Sequence, residues 1–551
     1  MQAAPRQEAP GAVQAARGGE PEDAARREVA AALDGLAPSP ELLVEHLHRL
    51  QDRYGGLRRR HMAALAEALR LAPVEVFEVA SFYAHFDLLE DGAPTPPATI
   101  RVCTGLPCAL AGAEGLLALL RDAPPGGARI LPAPCMGACD RAPVAAAGHA
   151  TVLEATPLRV ASPAVQALPR VALPSWEEGW PLLRALRSGE MDSRSVLAAL
   201  DEAGLRGMGG AGFPAARKWR AVLAQPGPRH LVVNADEGEP GTFKDRWCLE
   251  TDLPRVLEGM LAAAHVIGAE ACWIYLRDEY PEIRAALELA LPRLTALGVP
   301  HLPVHLRRGA GAYVCGEETA LLESLEGRRG YPRHKPPYPG ESGLFGRPTL
   351  IHNVETLWWL PEILADSEAP ARFAAAGRNG ANGRRLVSLS GRVARPGVYD
   401  APAGITAREL IEEFGGGMAE GHRFAAFLPG GASGGILPAR LADRPLDFGA
   451  LDDLGCFVGS GAVVVLSDRD DLAAAARNLV RFFRDESCGQ CTPCRVGTAK
   501  AARLLDAPRW DRALLGELAA AMADGSICGL GQAAMNPVLS LLRHFPEEAL
   551  P

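Results

Sequence analysis

Lysine is nearly absent from this sequence. Of its 57 basic side chains only Lys218, Lys244, Lys335 and Lys500 are lysines, and the rest are arginines. An arginine does not replace a compact ammonium everywhere, so each remaining lysine marks a position to watch. A basic excess is missing too. The 66 Asp and Glu residues outnumber the basic ones and leave a net charge of −9, which argues against a nucleic-acid partner. No run of 18 apolar residues occurs. The best stretch, around 259–276, is broken by His265 and Glu270, so no direct membrane insertion is expected. The opening MQAAPRQEAPG has no apolar core of the secretory kind, and the chain reads as cytoplasmic. In a reducing compartment its twelve cysteines point to metal or redox chemistry rather than disulfides.

What is present fits a large globular chain. Its 551 residues correspond to about three to four domains. A hydrophobic fraction of 48% with 22% charged residues excludes wholesale disorder. Residues 1–22 read as a disordered tail. From 23 to 92 apolar residues recur at three- and four-residue spacing, which predicts a helical bundle, with Ser39 and Pro40 opening its second helix. In 95–165 a strand ending at Cys103, a helix and a strand ending before Cys135 form a β-α-β unit. Residues 166–190 read as a linker. Strands and helices alternate over 191–380, which implies a parallel sheet covered by helices. Short strands with Gly and Pro turns around one helix mark 385–465 as a small α+β domain, and 469–551 is helical apart from a cysteine-rich loop.

Eight cysteines fall into two sets. Cys103 and Cys108 (C-x4-C) with Cys135 and Cys139 (C-x3-C) each begin where a predicted strand ends. Two adjacent loops of one sheet could then present four thiolates to one point, which suits zinc or an iron–sulfur cluster. C-x3-C is unusual for structural zinc, so a 2Fe–2S cluster is favoured. The second set, ESCGQCTPCR, holds Cys488, Cys491 and Cys494 at C-x2-C-x2-C, a spacing that wraps three thiolates around a 4Fe–4S cubane. Position 498, where a ferredoxin would place the next cysteine, is Thr. Cys528 lies beyond the loop and is the available fourth ligand. Cys248, Cys272, Cys315 and Cys456 stand alone and read as small buried hydrophobes.

The segment RGMGGAGFPAARKW contains G-x-G-x-x-G at Gly207, Gly209 and Gly212. An amphipathic helix precedes it, whereas a dinucleotide fingerprint follows a strand. Its free amides together with Lys218 form an anion nest suited to a phosphate. Four more segments add to it. NADEGEPGTFKDR gathers Asp236, Glu237 and Glu239. GAYVCGEETALLESLEG sets Glu317 and Glu318 at a helix start. RHKPPYPGESGLFGRPTL holds Lys335 and Tyr338. IHNVET offers Asn353 and Thr356. Carboxylates suit ribose hydroxyls, amides and glycine backbone suit the polar edge of a flavin, and aromatics suit stacking on a nicotinamide.

In this order the segments resemble the flavin-bearing NADH-oxidising subunit of respiratory complex I. They resemble its soluble relatives too, the diaphorase subunits of NAD-reducing hydrogenases and NAD-dependent formate dehydrogenases. The resemblance covers about 190–551. RYGGL, ASFYAHF, CTGLPC and PCMGAC make 30–160 resemble the family's separate thioredoxin-like 2Fe–2S subunit, so the chain looks like a fusion of the two. The resemblance implies an α/β multidomain fold: a helical bundle with a thioredoxin-like domain, a Rossmann-like FMN/NADH domain, a ubiquitin-like (SLBB) domain and a C-terminal helical bundle. It implies FMN on Gly207, Gly209, Gly210, Lys218, Asn234, Glu237, Tyr313, Glu317, Asn353 and Thr356. Phe213, Glu239, Glu318, Lys335 and Tyr338 would line the NADH side. One 2Fe–2S and one 4Fe–4S cluster would sit on the two cysteine sets.

Two positions depart from the family pattern. Ala221 stands where a second aromatic often follows Lys218, and His352 stands where an Asn often precedes Asn353. The implied activity is hydride exchange between NAD(H) and FMN, with single electrons passing to clusters and a partner. The fused layout looks most like the beta subunit of a molybdenum- or tungsten-dependent formate dehydrogenase, whose large subunit would carry a molybdopterin centre and further iron–sulfur clusters. A hydrogenase diaphorase and a complex I subunit are the alternatives. A reading from another class is a non-catalytic metal-binding scaffold.

Overall fold

The computed structural model describes residues 22–95, 97–163, 173–176, 179–299, 302–546. The tail read at 1–22 lies outside them but for its last residue, as does part of the linker at 166–190.

The N-terminal part is helical, as its spacing predicts. Helices Asp23–Ala32, Leu43–Tyr54, Arg59–Leu69 and Pro73–Phe82 bury Val29, Leu47, Leu50, Leu65 and Val76 on one core. Two details differ. A 3-10 turn, Pro40–Leu42, precedes the second helix, and the Ser39 side chain makes no capping bond. A short parallel pair, Leu57–Arg58 with Leu88–Leu89, closes the bundle.

The next domain holds the predicted β-α-β unit. Thr99–Cys103 pairs in parallel with Arg129–Ala133 across the helix Ala113–Asp122, and two short antiparallel strands complete a four-stranded sheet. The stretch read as a linker contains a helix, Pro181–Ser188. It buries Leu182, Leu183 and Leu186, and the Glu258 carboxylate caps its free amides at Leu182 (2.8 Å) and Leu183 (3.3 Å). Its Pro and Trp content disguises this helix: Pro181 stands at its first position, where a missing N–H costs nothing.

Four parallel strands form the central sheet, in the order Thr349–Asn353, Arg229–Ala235, Ala269–Leu276, Val304–Arg308. Register places Asn353 beside Asn234 and Asn234 beside Tyr275. Every strand runs out at one edge. There the chain enters Asp236–Glu239, Arg277–Tyr280, Gly309–Tyr313 and the helix Val354–Trp358. Side chains used for binding collect at such carboxyl-terminal edges of parallel sheets.

The following domain is a mixed five-stranded sheet. Its α-helix starts at Ala407 and widens into a π-turn over Leu410–Phe414. The chain then forms the helices Leu472–Glu486, Thr492–Leu505, Arg512–Gly525, Gly529–Ala533 and Asn536–His544. Among the described residues no helix is long and apolar enough to cross a membrane.

One close approach fixes the central domain. In the helix Leu253–Ile267, a Cβ added at Gly259 would drive into the Leu357 carbonyl and lie 2.8 Å from its carbon. Backbone cannot retreat as a side-chain tip can. Gly259→Ala is therefore expected to cost about 1–3 kcal/mol by overpacking, read as a lower unfolding temperature of this domain in calorimetry.

Candidate functional site

The glycine loop joins the helix Ser193–Glu202 to the helix Ala215–Leu223. The Met208 amide donates to the Thr356 hydroxyl at 2.9 Å, which pins the loop to the segment after Asn353. A Cβ at Gly209 would sit 3.4 Å from the Asn353 Cβ. Gly210 has φ +122°, and its Cβ would face the Gly459–Ser460 backbone of the five-stranded domain at 3.6 Å. Gly207, Gly209, Gly210, Asn353 and Thr356 are therefore brought together.

Two lysines and two carboxylates form a chain beside this loop. Lys218 Nζ lies 3.0 Å from Glu318, and Lys335 Nζ lies 3.2 Å from Glu318 and 2.8 Å from Glu317. Glu317 also caps its helix by accepting from the Thr319 (2.9 Å) and Ala320 (3.0 Å) amides. Burial pushes the Glu318 carboxyl up, but the Lys218 and Lys335 charges outweigh it and hold the group below its ordinary range. Phe213 and Tyr338 are exposed large side chains. Ala221 is exposed and adds no ring. His352 is buried instead: its ring nitrogen accepts from the Trp219 indole N–H at 2.6 Å, and burial pushes it down to about 3. It is thus a neutral packing group joined to the residue after Lys218.

The acidic loop is buried. Asn234 donates to the Gly316 carbonyl at 2.8 Å and accepts from the Asp236 amide at 3.1 Å. Glu237 accepts from the Asp245 and Arg246 amides (2.8 and 3.1 Å) and from the Tyr280 hydroxyl (2.9 Å), while burial pushes it up to about 7. Glu239 accepts from the Ser433 amide (2.8 Å), the Ser433 hydroxyl (2.7 Å) and the Tyr313 hydroxyl.

Lys244, to which the sequence alone assigns no role, proves to be a buried hub. Only 1% of its side chain is exposed, and it pairs with Asp245 (2.8 Å) and Glu355 (2.9 Å) and donates to Asn353 Oδ1 (3.2 Å). Glu355 is equally buried and accepts from the Leu386 amide at 2.7 Å. The scarcity of lysine was the signal for Lys244. Glu355 carried none, since a helix-start glutamate is ordinarily solvated.

No cysteine of either set is paired in a disulfide. In the first set Cys103 contacts Cys108 and Cys135, and Cys135 Sγ is 3.4 Å from Cys139 Sγ, with all four buried. Cys108 in turn bears electrostatically on Cys139, so these contacts link all four thiols. Hydrogen bonds from Cys103 and Cys139, with the Arg277 charge behind them, hold the Cys135 thiol below its ordinary range. In the second set Cys491 precedes the helix Thr492–Leu505, Cys494 lies in its first turn and touches Cys491, and Cys528 opens the helix Gly529–Ala533. Cys488 bears electrostatically on both Cys494 and Cys528. A Cβ at Gly531 would sit 2.8 Å from the Cys494 Cβ, so only glycine lets these helices meet.

The donor sets fit their groups. Each quartet supplies four sulfurs outside any disulfide, and the glycine cradle with its amides and the Lys218 ammonium suits a phosphate-bearing flavin. Asp236, beside Gly316, keeps one buried carboxyl oxygen without a hydrogen-bond partner.

Comparison with known proteins matches four family descriptions. Residues 29–164 match a thioredoxin-like [2Fe-2S] ferredoxin, and 200–362 match a Nuo51 FMN-binding domain. Residues 386–437 match an SLBB domain, and 474–550 match an NADH-ubiquinone oxidoreductase-F iron-sulfur binding region. An F-type subunit of the NADH-quinone oxidoreductase of Rhizobium meliloti (strain 1021) is 41% identical over 383 residues, 66% of this chain and 90% of that protein. The F-type chain of the same oxidoreductase in Aquifex aeolicus (strain VF5) is 40% identical over 378 residues, 65% and 86%. A chain of an air-oxidized NAD+-reducing [NiFe]-hydrogenase superposes with a TM-score of 0.80 at 34% identity, covering 93% of this chain and 94% of its own.

Removing the Lys244 ammonium would strand Asp245 and Glu355 in the interior. Lys244→Met is expected to cost about 3–5 kcal/mol, measured by thermal unfolding.

Proposed function

The chain belongs to the family of NADH-binding FMN and iron–sulfur electron-transfer subunits of the complex I and NAD-reducing hydrogenase type, and on that premise we propose that it exchanges hydride with NAD(H) and single electrons with a partner subunit. The observation that carries this reading is the turn Tyr313–Glu317. The Tyr313 hydroxyl bonds Glu239 on the nucleotide side, while its amide donates at 2.9 Å to Glu486, two residues before Cys488. Its ring lies 4.9 Å from Phe482, and the Glu317 charge bears on Cys528. One turn thus bonds Glu239 and the end of the helix that leads into the C-terminal quartet.

FMN, when bound, supplies the conversion between a two-electron hydride and one-electron transfers. The chain's residues bind and orient. The glycine loop and Lys218 would hold the flavin phosphate, with Asn234, Glu237, Tyr313, Glu317, Asn353 and Thr356 around the rest of the flavin. Phe213 and Tyr338 would stack on the nicotinamide, and Glu239, Glu318 and Lys335 would take the polar parts of NADH. Cys103, Cys108, Cys135 and Cys139 would carry the 2Fe–2S cluster; Cys488, Cys491, Cys494 and Cys528 would carry the 4Fe–4S cluster. The folded segments 23–92, 95–165, 191–380, 385–465 and 469–551 would then be the working units.

The finer reading is the beta subunit of a cytoplasmic Mo- or W-dependent formate dehydrogenase, supported by the fusion of both modules and the unbroken cluster motifs. A second reading, the diaphorase chain of an NAD-reducing hydrogenase, is favoured by a specific observation: the hydrogenase chain matches over 94% of its length, so it shares the fused layout. Affinity purification from the native cell distinguishes them. Molybdenum or tungsten with formate-dependent NAD⁺ reduction supports the first, and nickel with hydrogen-dependent reduction supports the second. A chain that stays colourless and inactive toward NADH and an artificial acceptor after flavin and iron reconstitution would instead be a scaffold.

Two variants test the roles. Lys335→Met removes a charge-assisted contact of about 1.5–3 kcal/mol, so NADH affinity should fall about 10- to 100-fold while FMN content holds. Cys491→Ser should abolish the 4Fe–4S signal and slow reduction of the partner, yet leave NADH able to bleach the flavin. Equal loss of both steps would contradict a path that runs from flavin to cubane to partner.

A further inference from the structure

We propose that Arg277 is a positioning residue that couples the 2Fe–2S site to the nucleotide-side loop and sets that cluster's reduction potential. The proposal rests on the assignments above, of the first cysteine quartet to a 2Fe–2S cluster and of Glu237 to the flavin side.

Arg277 is the first residue after the strand Ala269–Leu276, and its amide donates to the Ala235 carbonyl at 3.3 Å. Only 4% of the residue is exposed. One arm of its guanidinium donates to the main-chain carbonyl of Glu237, and the other donates to the main-chain carbonyl of Cys135 at 2.6 Å. The Glu279 carboxylate pairs with Nη2 at 3.1 Å and accepts from Nε at 3.2 Å. The guanidinium lies 5.1 Å from the centre of the Tyr280 ring. Tyr280 extends the bridge on both sides. Its hydroxyl donates to the Glu237 carboxylate at 2.9 Å, and Gly137, between Cys135 and Cys139, lies so close that a Cβ there would collide with the phenol. A single turn therefore grips Glu237 by main chain and side chain, and grips the cysteine loop at two points.

Arginine suits this place because its planar fork aims several donors at fixed angles, whereas a lysine ammonium is a point charge. Its electrostatic effect has a definite sign. A cation near the thiolates favours the more negative, reduced cluster, so it raises the potential. Replacing it with a neutral residue removes that cation and leaves Glu279 buried without it. Both changes lower the potential. Because the same guanidinium holds the Glu237 carbonyl, a ligand that shifts the nucleotide-side loop acts on the cluster through it.

The test is a redox titration of the reconstituted full chain, following the 2Fe–2S signal by electron paramagnetic resonance with and without NAD⁺, for native, Arg277→Gln and Arg277→Lys chains. In Arg277→Gln the reduced-to-oxidised ratio at a fixed potential should fall at least tenfold, a shift of about 59 mV for one electron, and the response to NAD⁺ seen in the native chain should vanish. Arg277→Lys should recover part of the potential but not the nucleotide response. An unchanged potential in Arg277→Gln with full cluster content would overturn the proposal. If that variant does not fold, Arg277→Lys decides: a native potential and a native response to NAD⁺ would overturn it equally. Absence of any 2Fe–2S signal in the native chain would remove the cluster assignment, and the proposal with it.

Discussion

A buried ammonium holds the central site together. Lys244 follows the acidic loop, Glu355 follows Asn353, and the Leu386 amide that bonds Glu355 belongs to the next domain. An unpaired charge at such depth is costly, so these groups stay only because each neutralises or bonds another. The arrangement fixes where the acidic loop ends and where Asn353 begins. It also fixes how the five-stranded domain sits on the central sheet. The glycine loop, pinned through Thr356, inherits its position from the same cluster.

Much of this was legible in the sequence because it depended on spacing. The cysteine pairs follow strand ends, and the structure puts them on loops leaving Thr99–Cys103 and Arg129–Ala133. The alternation over 191–380 became a four-stranded parallel sheet, and the helix before the glycine loop is there. The zinc alternative for the first quartet gives way to the thioredoxin-like [2Fe-2S] match.

What escaped depends on partners far away in the chain. Nothing local to Pro181–Ser188 announces that Glu258 will cap it. Ser39 looked like a cap, yet the chain takes a 3-10 turn there first. His352 departs from the family's usual Asn, and only the fold reveals that Trp219 occupies its ring nitrogen. Arg277 is one arginine among fifty-three in the sequence. Its role depends on residues 40 and 142 positions earlier.

The back of the glycine loop carries a consequence for how such proteins can be rearranged. Gly210 rests on the Gly459–Ser460 main chain, Thr242 shares a 2.7 Å hydroxyl contact with Ser460, and Ser433 holds Glu239. The SLBB segment is therefore a wall of the hollow rather than an ornament hung beside it. A cut before the central sheet would break the Arg277–Cys135 and Arg246–Asp140 contacts that hold the N-terminal ferredoxin. A cut between the central sheet and its downstream neighbour would instead leave the cradle open on one side, so those two units must travel through gene fusions and shuffling as a single inheritance.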